Sequence, residues 1–296
     1  MTRYIYKKYQ PKISTGKIIR EILERKNSSD YYPNTNNSYI ILLRNHVYYK
    51  KMFDGSGYFD ISKILSFDGS EAVRIYRNLG HEIRNKILGI PAVVDNNYFI
   101  FCPYCGVNPM SKSATIDHFV PQSVLAQLSA ESLNLIPSCW PCNTKKRANW
   151  SSSSGIVGFH PYLEDFPDGS IILFFDFSKV HISSTKILYP KIVLKAVPMQ
   201  NILIQKRTRF IINQFDLSRR YSETLVLKMY DLITLIRKMR HEGKNNSQII
   251  LKIYHYSKRQ IQDDIDGYQT LLYPEFLFYS SLSRNFAEAY KFVMNY

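Results

Sequence analysis

The sequence predicts an α+β protein in which a small metal-stabilised module lies between mainly helical regions. Two C-x-x-C pairs near the middle of the chain are typical of a compact module organised by a metal ion. On both sides of them, apolar residues recur at intervals of three and four, as they do along the buried face of a helix. The strand-like runs are short and few, which favours small sheets.

The first region, residues 1–95, is predicted to be mainly helical. Ser14 or Thr15 could cap a first helix, because a hydroxyl at this position accepts a hydrogen bond from the first turn. Residues 34–38 are polar and are predicted to form a loop. A stronger helix is predicted over residues 68–87, where apolar side chains follow the helical spacing.

The second region, residues 96–150, contains all four cysteines. Residues 97–101 are aromatic and β-branched, and they predict a strand that leads into the first cysteine pair. The serine-rich stretch 151–155 ends in glycine and is interpreted as a linker that closes the module.

The third region, residues 151–296, is predicted to begin with strands and to continue with helices. Gly243 is expected to stop the clearest of these helices, because glycine readily adopts the left-handed conformation that ends a helix. Strands are predicted at 171–177 and 192–197, and helices at 201–215, 223–240, 248–263 and 275–294.

The chain is basic, with 39 Lys and Arg against 24 Asp and Glu and a net charge of +15. Such a surface attracts polyanions, among which nucleic acid is the commonest, although basic proteins of other kinds share this balance. The first ten residues lack the apolar core of a secretory signal, and no apolar run is long enough to span a bilayer. We therefore expect a cytoplasmic protein whose partner is nucleic acid and not a membrane.

The two cysteine pairs predict a zinc site formed by Cys102, Cys105, Cys139 and Cys142. Two thiolates separated by two residues on a tight turn point at one spot, and two such turns supply the tetrahedron of sulfurs that zinc prefers. Four sulfurs leave no position for water, so this zinc would be structural. The alternatives are four unligated core cysteines or a redox C-x-x-C pair, which would need a thioredoxin-like context that the sequence lacks.

The residues between and after these pairs resemble the HNH (ββα-metal, treble-clef) endonucleases. Asp117-His118 with Pro121 lies between the pairs, Asn134 follows, and Asn143 comes directly after the last cysteine. The run from Asp117 to Ser123 is also similar to the corresponding strand in the HNH domain of RNA-guided CRISPR nucleases. The resemblance covers about 50 of the 296 residues, with its elements in the family's order.

The resemblance implies a role for each of these residues. His118 would be the general base, since an imidazole can accept a proton from water near neutral pH. Asp117 and Asn143 would hold the catalytic cation, Mg²⁺ or Mn²⁺, through oxygen atoms. Asn134 would hydrogen-bond across the loop and hold His118 in place. Asn143 stands where older forms of the motif have a third histidine.

Two further features follow from this interpretation. Neighbouring strand residues alternate faces, so Asp117 and His118 can both reach one centre only if the strand ends or bends there, as Pro121 would allow. Lys145, Lys146 and Arg147 lie on the same helix as Asn143, and they are predicted to meet nucleic-acid phosphates.

A His-Pro-Tyr sequence follows the module, with His160 as its first residue. A similar sequence follows the HNH core in bacterial nucleases encoded beside retrons or ATPases in anti-phage systems. This resemblance implies an accessory role for His160, in orienting the metal or in touching DNA. The alternative is a turn at a strand entry that buries Tyr162.

The leading hypothesis is therefore an HNH endonuclease that cuts DNA as part of a phage-defence or restriction system. The alternative is a non-catalytic zinc module that binds nucleic acid or a partner protein. In either case, the flanking helical regions could dock on a partner such as an ATPase. The sequence leaves DNA and RNA undistinguished as substrates, and likewise magnesium and manganese as cofactors.

Overall fold

The structure of the protein is a computed structural model. Within it the chain forms two compact units. The central unit comprises Lys8–Tyr104 and Asn108–Phe166, and the C-terminal unit comprises Pro167–Tyr296 with short segments from elsewhere. The structure describes residues 35–53, 62, 64–65, 69–77, 79, 84–85, 87, 102–106, 114–164, 166–167, 169–182, 188–198, 201–263 and 274–296.

The described part of the central unit combines helices with one small sheet. Its elements are α1 (Thr35–Met52), α2 (Gly69–Arg77), β1 (Ala114–His118), β2 (Leu135–Cys139) and α3 (Trp140–Lys146). The loop between the strands contains two short 3-10 turns, Ala126–Leu128 and Ser132–Asn134.

Strands β1 and β2 pair in antiparallel fashion, with Ala114 opposite Cys139 and His118 opposite Leu135. Helix α3 begins directly after β2, and Pro141 lies in its first turn. Proline is tolerated there because the backbone N–H groups of the first turn have no partner within the helix. The junction of strand and helix therefore carries the second cysteine pair.

Helix α2 and the residues after it pack against this sheet. Gly69, the first residue of α2, approaches the 3-10 turn so closely that a Cβ atom would lie 2.7 Å from the Cβ of Ala126. A larger residue would push the two segments apart. The apolar cluster at this contact consists of Leu79, Ile87 and Leu135, with Tyr76 and Ile116 packed against it.

The structure corrects one prediction for the N-terminal region. Helix α1 begins at Thr35, so the polar residues 34–38, predicted as a loop, lie largely within its first turns. Polar residues such as Thr and Asn are common at helix starts, and here they precede an apolar run instead of separating two elements. The helix predicted after Ser14 or Thr15 and the strand at 97–101 lie outside the described residues.

The C-terminal unit consists of a hairpin and six helices among its described residues. The hairpin is formed by β3 (Ile171–Ile182) and β4 (Leu188–Ala196), which pair in antiparallel fashion. The helices are α4 (Ile202–Gln214), α5 (Leu217–Thr224), α6 (Val226–His241), α7 (Asn246–Asp263), α8 (Pro274–Arg284) and α9 (Phe286–Asn295).

Side chains of the last two helices cover the free edge of β3. The Ser281 hydroxyl donates to the Leu173 carbonyl oxygen at 2.7 Å, and the Glu288 carboxylate accepts from the Phe175 N–H at 2.8 Å. The Phe175 ring packs against Phe292, with centroids 5.0 Å apart. A two-stranded sheet is marginal alone, so the helices supply both its apolar cover and its missing hydrogen bonds.

The free edge of β4 is satisfied in the same way by helix α5. The Ile192 N–H donates to the Ser222 hydroxyl and the Leu194 N–H donates to the Ser218 hydroxyl, both at 2.9 Å. At these positions both edges of the hairpin are bonded to side chains, which opposes pairing with another chain there.

The predicted helices of this region are present, but two of them are divided. Leu225 interrupts the stretch predicted as 223–240, and Asn285 interrupts the stretch predicted as 275–294. Both interrupting residues leave the helical conformation while apolar spacing continues across them. Gly243 stops α6 as predicted, with a φ of 74° and an N–H that donates to the Arg240 carbonyl oxygen.

The structure confirms the predicted fold class, since helices and small antiparallel sheets make up the described chain. The serine-rich stretch 151–155 is a turn rather than an extended linker, because Ser151 and Val157 form an antiparallel bridge around it. The three-region division at 95 and 150 stays a prediction. No helix among the described residues is long and apolar enough to cross a membrane.

Candidate active site and metal centre

Four cysteines meet where β2 turns into α3. Cys139 ends β2, and Cys142 lies in the first turn of α3. Their Sγ atoms and those of Cys102 and Cys105 all lie within 4.8 Å of one another, and all four residues are buried. None of them forms a disulfide bond.

This donor set fits a zinc ion. Thiolates at about 2.3 Å from a tetrahedral zinc lie about 3.8 Å from each other, which is within the spread found here. The four cysteines are therefore positioned to bind a metal such as zinc, as predicted. A site closed by four sulfurs has no position for water, which suits a structural ion.

His118 is the last residue of β1, and the chain turns immediately after it at Pro121, whose carbonyl oxygen accepts from the Val124 N–H. The His118 Nε2 atom lies 3.1 Å from the backbone oxygen of Ser129. Because a carbonyl oxygen can only accept, Nε2 carries the proton and Nδ1 keeps its lone pair. No hydrogen bond from a described residue reaches Nδ1, so this nitrogen can take up a proton.

Two side chains complete the surroundings of this imidazole. The Gln122 amide lies 3.1 Å from Nε2, and it can present its oxygen there because amide oxygen and nitrogen exchange by a flip. The Tyr76 ring lies edge-to-face against the imidazole, with centroids 4.5 Å apart. The ring of His118 is thus held on two sides, and no described residue forms a hydrogen bond with its Nδ1 atom.

Burial is the main cause that lowers the pKa of His118 to about 4. The positive charges of Lys146 and Arg84 act in the same direction, whereas the hydrogen bond to Ser129 opposes them. At neutral pH the imidazole is therefore uncharged, which is the state that a proton acceptor requires.

Asp117 is buried on the side of β1 that faces α3. Its Oδ2 atom accepts from the Tyr104 hydroxyl at 2.6 Å and lies 2.9 Å from the Lys146 Nζ atom. Burial raises the pKa of Asp117, and the Lys146 ammonium opposes this rise. The side chain of Asp117 thus contacts α3, whereas that of His118 contacts the loop after β1, as expected for neighbours on a strand.

Lys146 differs from the residues on either side of it. Only 3% of Lys146 is exposed, and its Nζ atom also donates to the His118 carbonyl oxygen at 2.6 Å. The prediction that Lys146 meets phosphates therefore does not hold, because its ammonium is buried between Asp117 and the end of β1. Lys145 and Arg147 are exposed, as that prediction requires.

Asn143 also reaches β1, one turn before Lys146 on α3. Its Nδ2 atom donates to the Thr115 hydroxyl at 3.1 Å, and no described residue hydrogen-bonds its Oδ1 atom. Thr115 and Asp117 are two residues apart on the strand and share one face. Asn143 and Asp117 therefore lie on the same side of β1.

The Asn134 side chain is fully buried and spans the loop that follows β1. Its Oδ1 atom accepts from the Val120 N–H at 2.7 Å, and its Nδ2 atom donates to the carbonyl oxygens of Val120 and Leu128, both at 3.1 Å. The Tyr49 hydroxyl donates to the same Oδ1 atom at 2.9 Å. These contacts join the two ends of the loop to helix α1.

His160 is fully buried, so its imidazole is not open to contact DNA. Its Nε2 atom lies 3.1 Å from the Tyr49 hydroxyl, and its Nδ1 atom accepts from the Tyr162 N–H at 3.2 Å. The ring packs against Phe53 and Phe119, with centroid distances of 4.4 and 4.5 Å. Tyr162 is buried beside it, as the alternative interpretation of a turn expected.

Three tyrosines of this site received no role from the sequence. Tyr104 lies inside the first C-x-x-C pair, and this position was the one local signal that could have drawn attention to it. Tyr76 lay on the apolar face of a predicted helix, where a core role is the ordinary interpretation. Tyr49 had no local signal, since its partner Asn134 is 85 positions later in the chain.

Comparison with known proteins places this site in a family. Residues 102–149 match the family model of the HNH endonucleases. The chain carries an HNH endonuclease domain. The matched segment holds both cysteine pairs, His118 and the whole of α3.

Two curated proteins are similar to part of the chain. The protein ea31 of Escherichia phage lambda is 31% identical over 64 residues, which are 21% of each chain. The Septu protein PtuB of Bacillus thuringiensis is 30% identical over 79 residues, which are 25% of this chain and 30% of that protein. The chain thus aligns with less than a third of either relative. No solved structure matches it significantly.

The domain implies a nuclease-type function, because HNH domains are generally nucleases and act on nucleic acid. The four clustered cysteines could give this domain a metal-binding site.

Proposed function

We propose that this chain is a metal-dependent endonuclease that hydrolyses phosphodiester bonds of DNA, with His118 as the general base. The observation that carries the proposal is the held imidazole at the end of β1 within the HNH domain. Its Nε2 atom bonds to the Ser129 carbonyl oxygen, which leaves the Nδ1 lone pair for a proton. Its lowered pKa keeps it unprotonated at neutral pH.

In this proposal, a water molecule attacks the phosphorus atom and gives its proton to Nδ1 of His118, while the bond from phosphorus to the leaving sugar oxygen breaks and that oxygen takes a proton from solvent. Asn134 keeps the imidazole in place by joining Val120 to Leu128 across the loop. The Ser129 carbonyl maintains the required tautomer, as backbone acceptors do for other catalytic histidines. These residues orient the base and do not contact the reacting atoms themselves.

On the other face of β1, Asp117 and Asn143 would hold a hard cation. Because β1 ends at His118, this cation and the base on the opposite face could reach one phosphate only around that strand end. Asp117 supplies a carboxylate and Asn143 an amide oxygen, which are donor types that Mg²⁺ and Mn²⁺ accept. The Asn143 Oδ1 atom receives no hydrogen bond from a described residue, and the Asp117 oxygens keep further lone pairs beyond their contacts with the Tyr104 hydroxyl and the Lys146 ammonium. When bound, such a cation neutralises charge on the phosphate and on the leaving oxygen.

Lys146 would orient this site instead of contacting substrate. Its ammonium bridges the Asp117 carboxylate and the His118 carbonyl oxygen, so it holds the end of β1 against α3. The exposed Lys145 and Arg147 would contact phosphates of the DNA backbone. The net charge of +15 supports this assignment.

We further propose that the chain acts in phage defence or restriction, on the strength of its similarity to the Septu protein PtuB. An unregulated nuclease would damage the DNA of its own cell, so a partner that controls cutting, such as an ATPase, is a reasonable expectation. Copurification of the tagged full chain from its native host would test for such a partner.

The deciding experiment is plasmid nicking by purified wild type and His118→Ala, each with and without magnesium or manganese. We expect wild type to nick only with a divalent cation, and the variant to lose at least about 1,000-fold in rate because the base is gone. Zinc content and thermal unfolding serve as controls for folding.

Equal nicking by His118→Ala would contradict the assigned base. If folded, zinc-containing wild type binds DNA but does not cut it with either cation, the alternative of a non-catalytic zinc module is favoured. Cutting and binding assays with single- and double-stranded DNA and RNA then show which nucleic acid the protein acts on.

A further inference from the structure

We propose that Tyr49 is a positioning residue of this active site, acting through a buried relay that runs from His160 through Tyr49 to Asn134. By this relay, helix α1 and the His-Pro-Tyr segment hold the loop that orients His118. The proposal rests on the proposed function, because the relay matters for chemistry only if His118 is the base.

The relay begins with an amide whose orientation is determined. Oδ1 of Asn134 accepts from the Val120 N–H, and Nδ2 donates to the carbonyl oxygens of Val120 and Leu128. A flip of the amide would place a donor against a donor and an acceptor against two acceptors. The Asn134 oxygen therefore faces Tyr49.

This orientation fixes the direction of the next two hydrogen bonds. Since Oδ1 can only accept, the Tyr49 hydroxyl donates to it at 2.9 Å. The Tyr49 oxygen then accepts from Nε2 of His160 at 3.1 Å. Nδ1 of His160 accepts from the Tyr162 N–H, so the His160 proton must lie on Nε2. Each donor of the relay meets one acceptor.

The relay reaches His118 from both ends of its loop. Val120, clamped by Asn134, lies two residues after His118 in the chain. Leu128, the other residue bonded to the Asn134 amide, directly precedes Ser129, whose carbonyl oxygen holds the His118 imidazole. A shift of Asn134 would therefore move both the backbone that carries His118 and the acceptor that orients it.

Helix α1 contacts this region at a second point, one turn before Tyr49. Nδ1 of His46 lies 2.7 Å from Oε1 of Glu131, and the same oxygen accepts from the Leu133 N–H at 3.0 Å. The Glu131 side chain thus starts the 3-10 turn that ends in Asn134. Two contacts from one helix resist rotation of the turn, which a single hydrogen bond would not.

Burial makes the relay sensitive to the loss of one atom. The three residues of the relay, Tyr49, Asn134 and His160, are fully buried, with 0% of each exposed. In such surroundings a hydrogen bond is strong and an unmatched donor or acceptor is costly. Burial also raises the pKa of Tyr49 well above its usual value, so the hydroxyl keeps the proton that it donates.

Tyr49→Phe tests the proposal, with Ser281→Ala as the control. The Ser281 hydroxyl is also buried, and it donates to the Leu173 carbonyl oxygen at 2.7 Å in the C-terminal unit, outside the relay. Both variants lose one buried hydrogen bond, so both should unfold at a somewhat lower temperature. We expect Tyr49→Phe alone to lower kcat, by about tenfold, with KM and zinc content unchanged.

The Asn134→Ala background distinguishes positioning from general stability. If Tyr49 acts through Asn134, then adding Tyr49→Phe to Asn134→Ala lowers kcat by less than about twofold. Independent, multiplicative losses in the double variant would overturn the proposal. An unchanged kcat in Tyr49→Phe, or an equal loss in Ser281→Ala, would also overturn it.

Nitrogen NMR of the histidine rings tests the relay without any activity. The ¹⁵N shifts of the His118 ring should change in Tyr49→Phe, because the imidazole and its acceptor move, and should stay as in wild type in Ser281→Ala. Unchanged His118 shifts in Tyr49→Phe would contradict the relay. If wild type binds but never cuts while the shifts change as expected, the proposed function fails and the relay stands.

Discussion

The two small sheets of this protein are stabilised by different means. Each is a pair of antiparallel strands, an arrangement that is marginal in isolation. The hairpin β3–β4 is held by aromatic packing and by helix side chains that pair its edges. The five-residue strands β1 and β2 are held by a cysteine cluster, a buried ion pair and a hydrogen-bonded loop.

The difference follows from what the two sheets carry. In the proposed function the central sheet bears the polar groups that hydrolyse a phosphodiester, and these groups cannot be covered by apolar side chains without losing that function. The central sheet is instead flanked by a four-cysteine cluster that could bind zinc and by polar contacts with defined geometry. The C-terminal hairpin carries no assigned chemistry, and it is covered in the ordinary way.

Removal of zinc should produce the largest effect and should act on one sheet only. We expect a chelator to unfold the region around β1, β2 and α3, since structural zinc supplies about 10 kcal/mol or more to small sites. The chain's two tryptophans, Trp140 and Trp150, both lie in the central unit, so their fluorescence reports on this unit. The helical circular dichroism of the C-terminal unit should largely persist.

Metal analysis before and after chelation is the control for that measurement. An unchanged fluorescence spectrum and melting temperature in zinc-free protein would show that the four cysteines contribute little to folding. The central sheet would then owe its stability to the same kind of packing as the hairpin, and the contrast between them would fail.

Lys146→Met tests the buried ion pair. The change leaves the Asp117 carboxylate buried without its cation, which should lower the free energy of unfolding by about 3–5 kcal/mol. Lys145→Met, at the exposed neighbour, should change it by less than about 0.5 kcal/mol. Urea unfolding followed by tryptophan fluorescence compares the two variants directly.

Adding Asp117→Asn to Lys146→Met sharpens that result, because it removes the uncompensated charge. Most of the lost stability should return in the double variant. If Lys146→Met is as stable as wild type, the ion pair between Asp117 and Lys146 orients these side chains without adding to the free energy of unfolding. Lys145→Met should still weaken DNA binding and lower its dependence on salt, since Lys145 remains exposed.

Glu288→Ala should produce the smallest of these effects, and it acts on the other sheet. The change leaves the buried Phe175 N–H without its acceptor, at a cost of about 1–3 kcal/mol. Glu288→Gln keeps an acceptor oxygen and should cost less than the alanine variant. Urea unfolding followed by circular dichroism measures both, and equal losses would show that the edge hydrogen bond is not what Glu288 contributes.

Features that depend on neighbours in the chain could be predicted from sequence. The cysteine spacing predicted the four-sulfur cluster, because two residues between ligands determine how a knuckle points its sulfurs. Gly243 ends α6 for an equally local reason, the left-handed backbone that glycine adopts freely. The order of Asp117, His118, Asn134 and Asn143 between and after the cysteines led to the HNH domain.

Features that depend on distant neighbours were decided by the tertiary structure. Lys145, Lys146 and Arg147 look equivalent as a sequence, yet the packing of α3 on β1 buries the middle one against Asp117. The Tyr49 hydroxyl contacts Asn134, 85 positions later in the chain, and His160, 111 positions later. A local sequence pattern cannot predict contacts at such separations. The sequence by itself determined the four-cysteine cluster and the order of the motif, because those depend on residues a few positions apart. Only the fold decided which polar groups are buried together, because burial depends on surfaces brought from far along the chain.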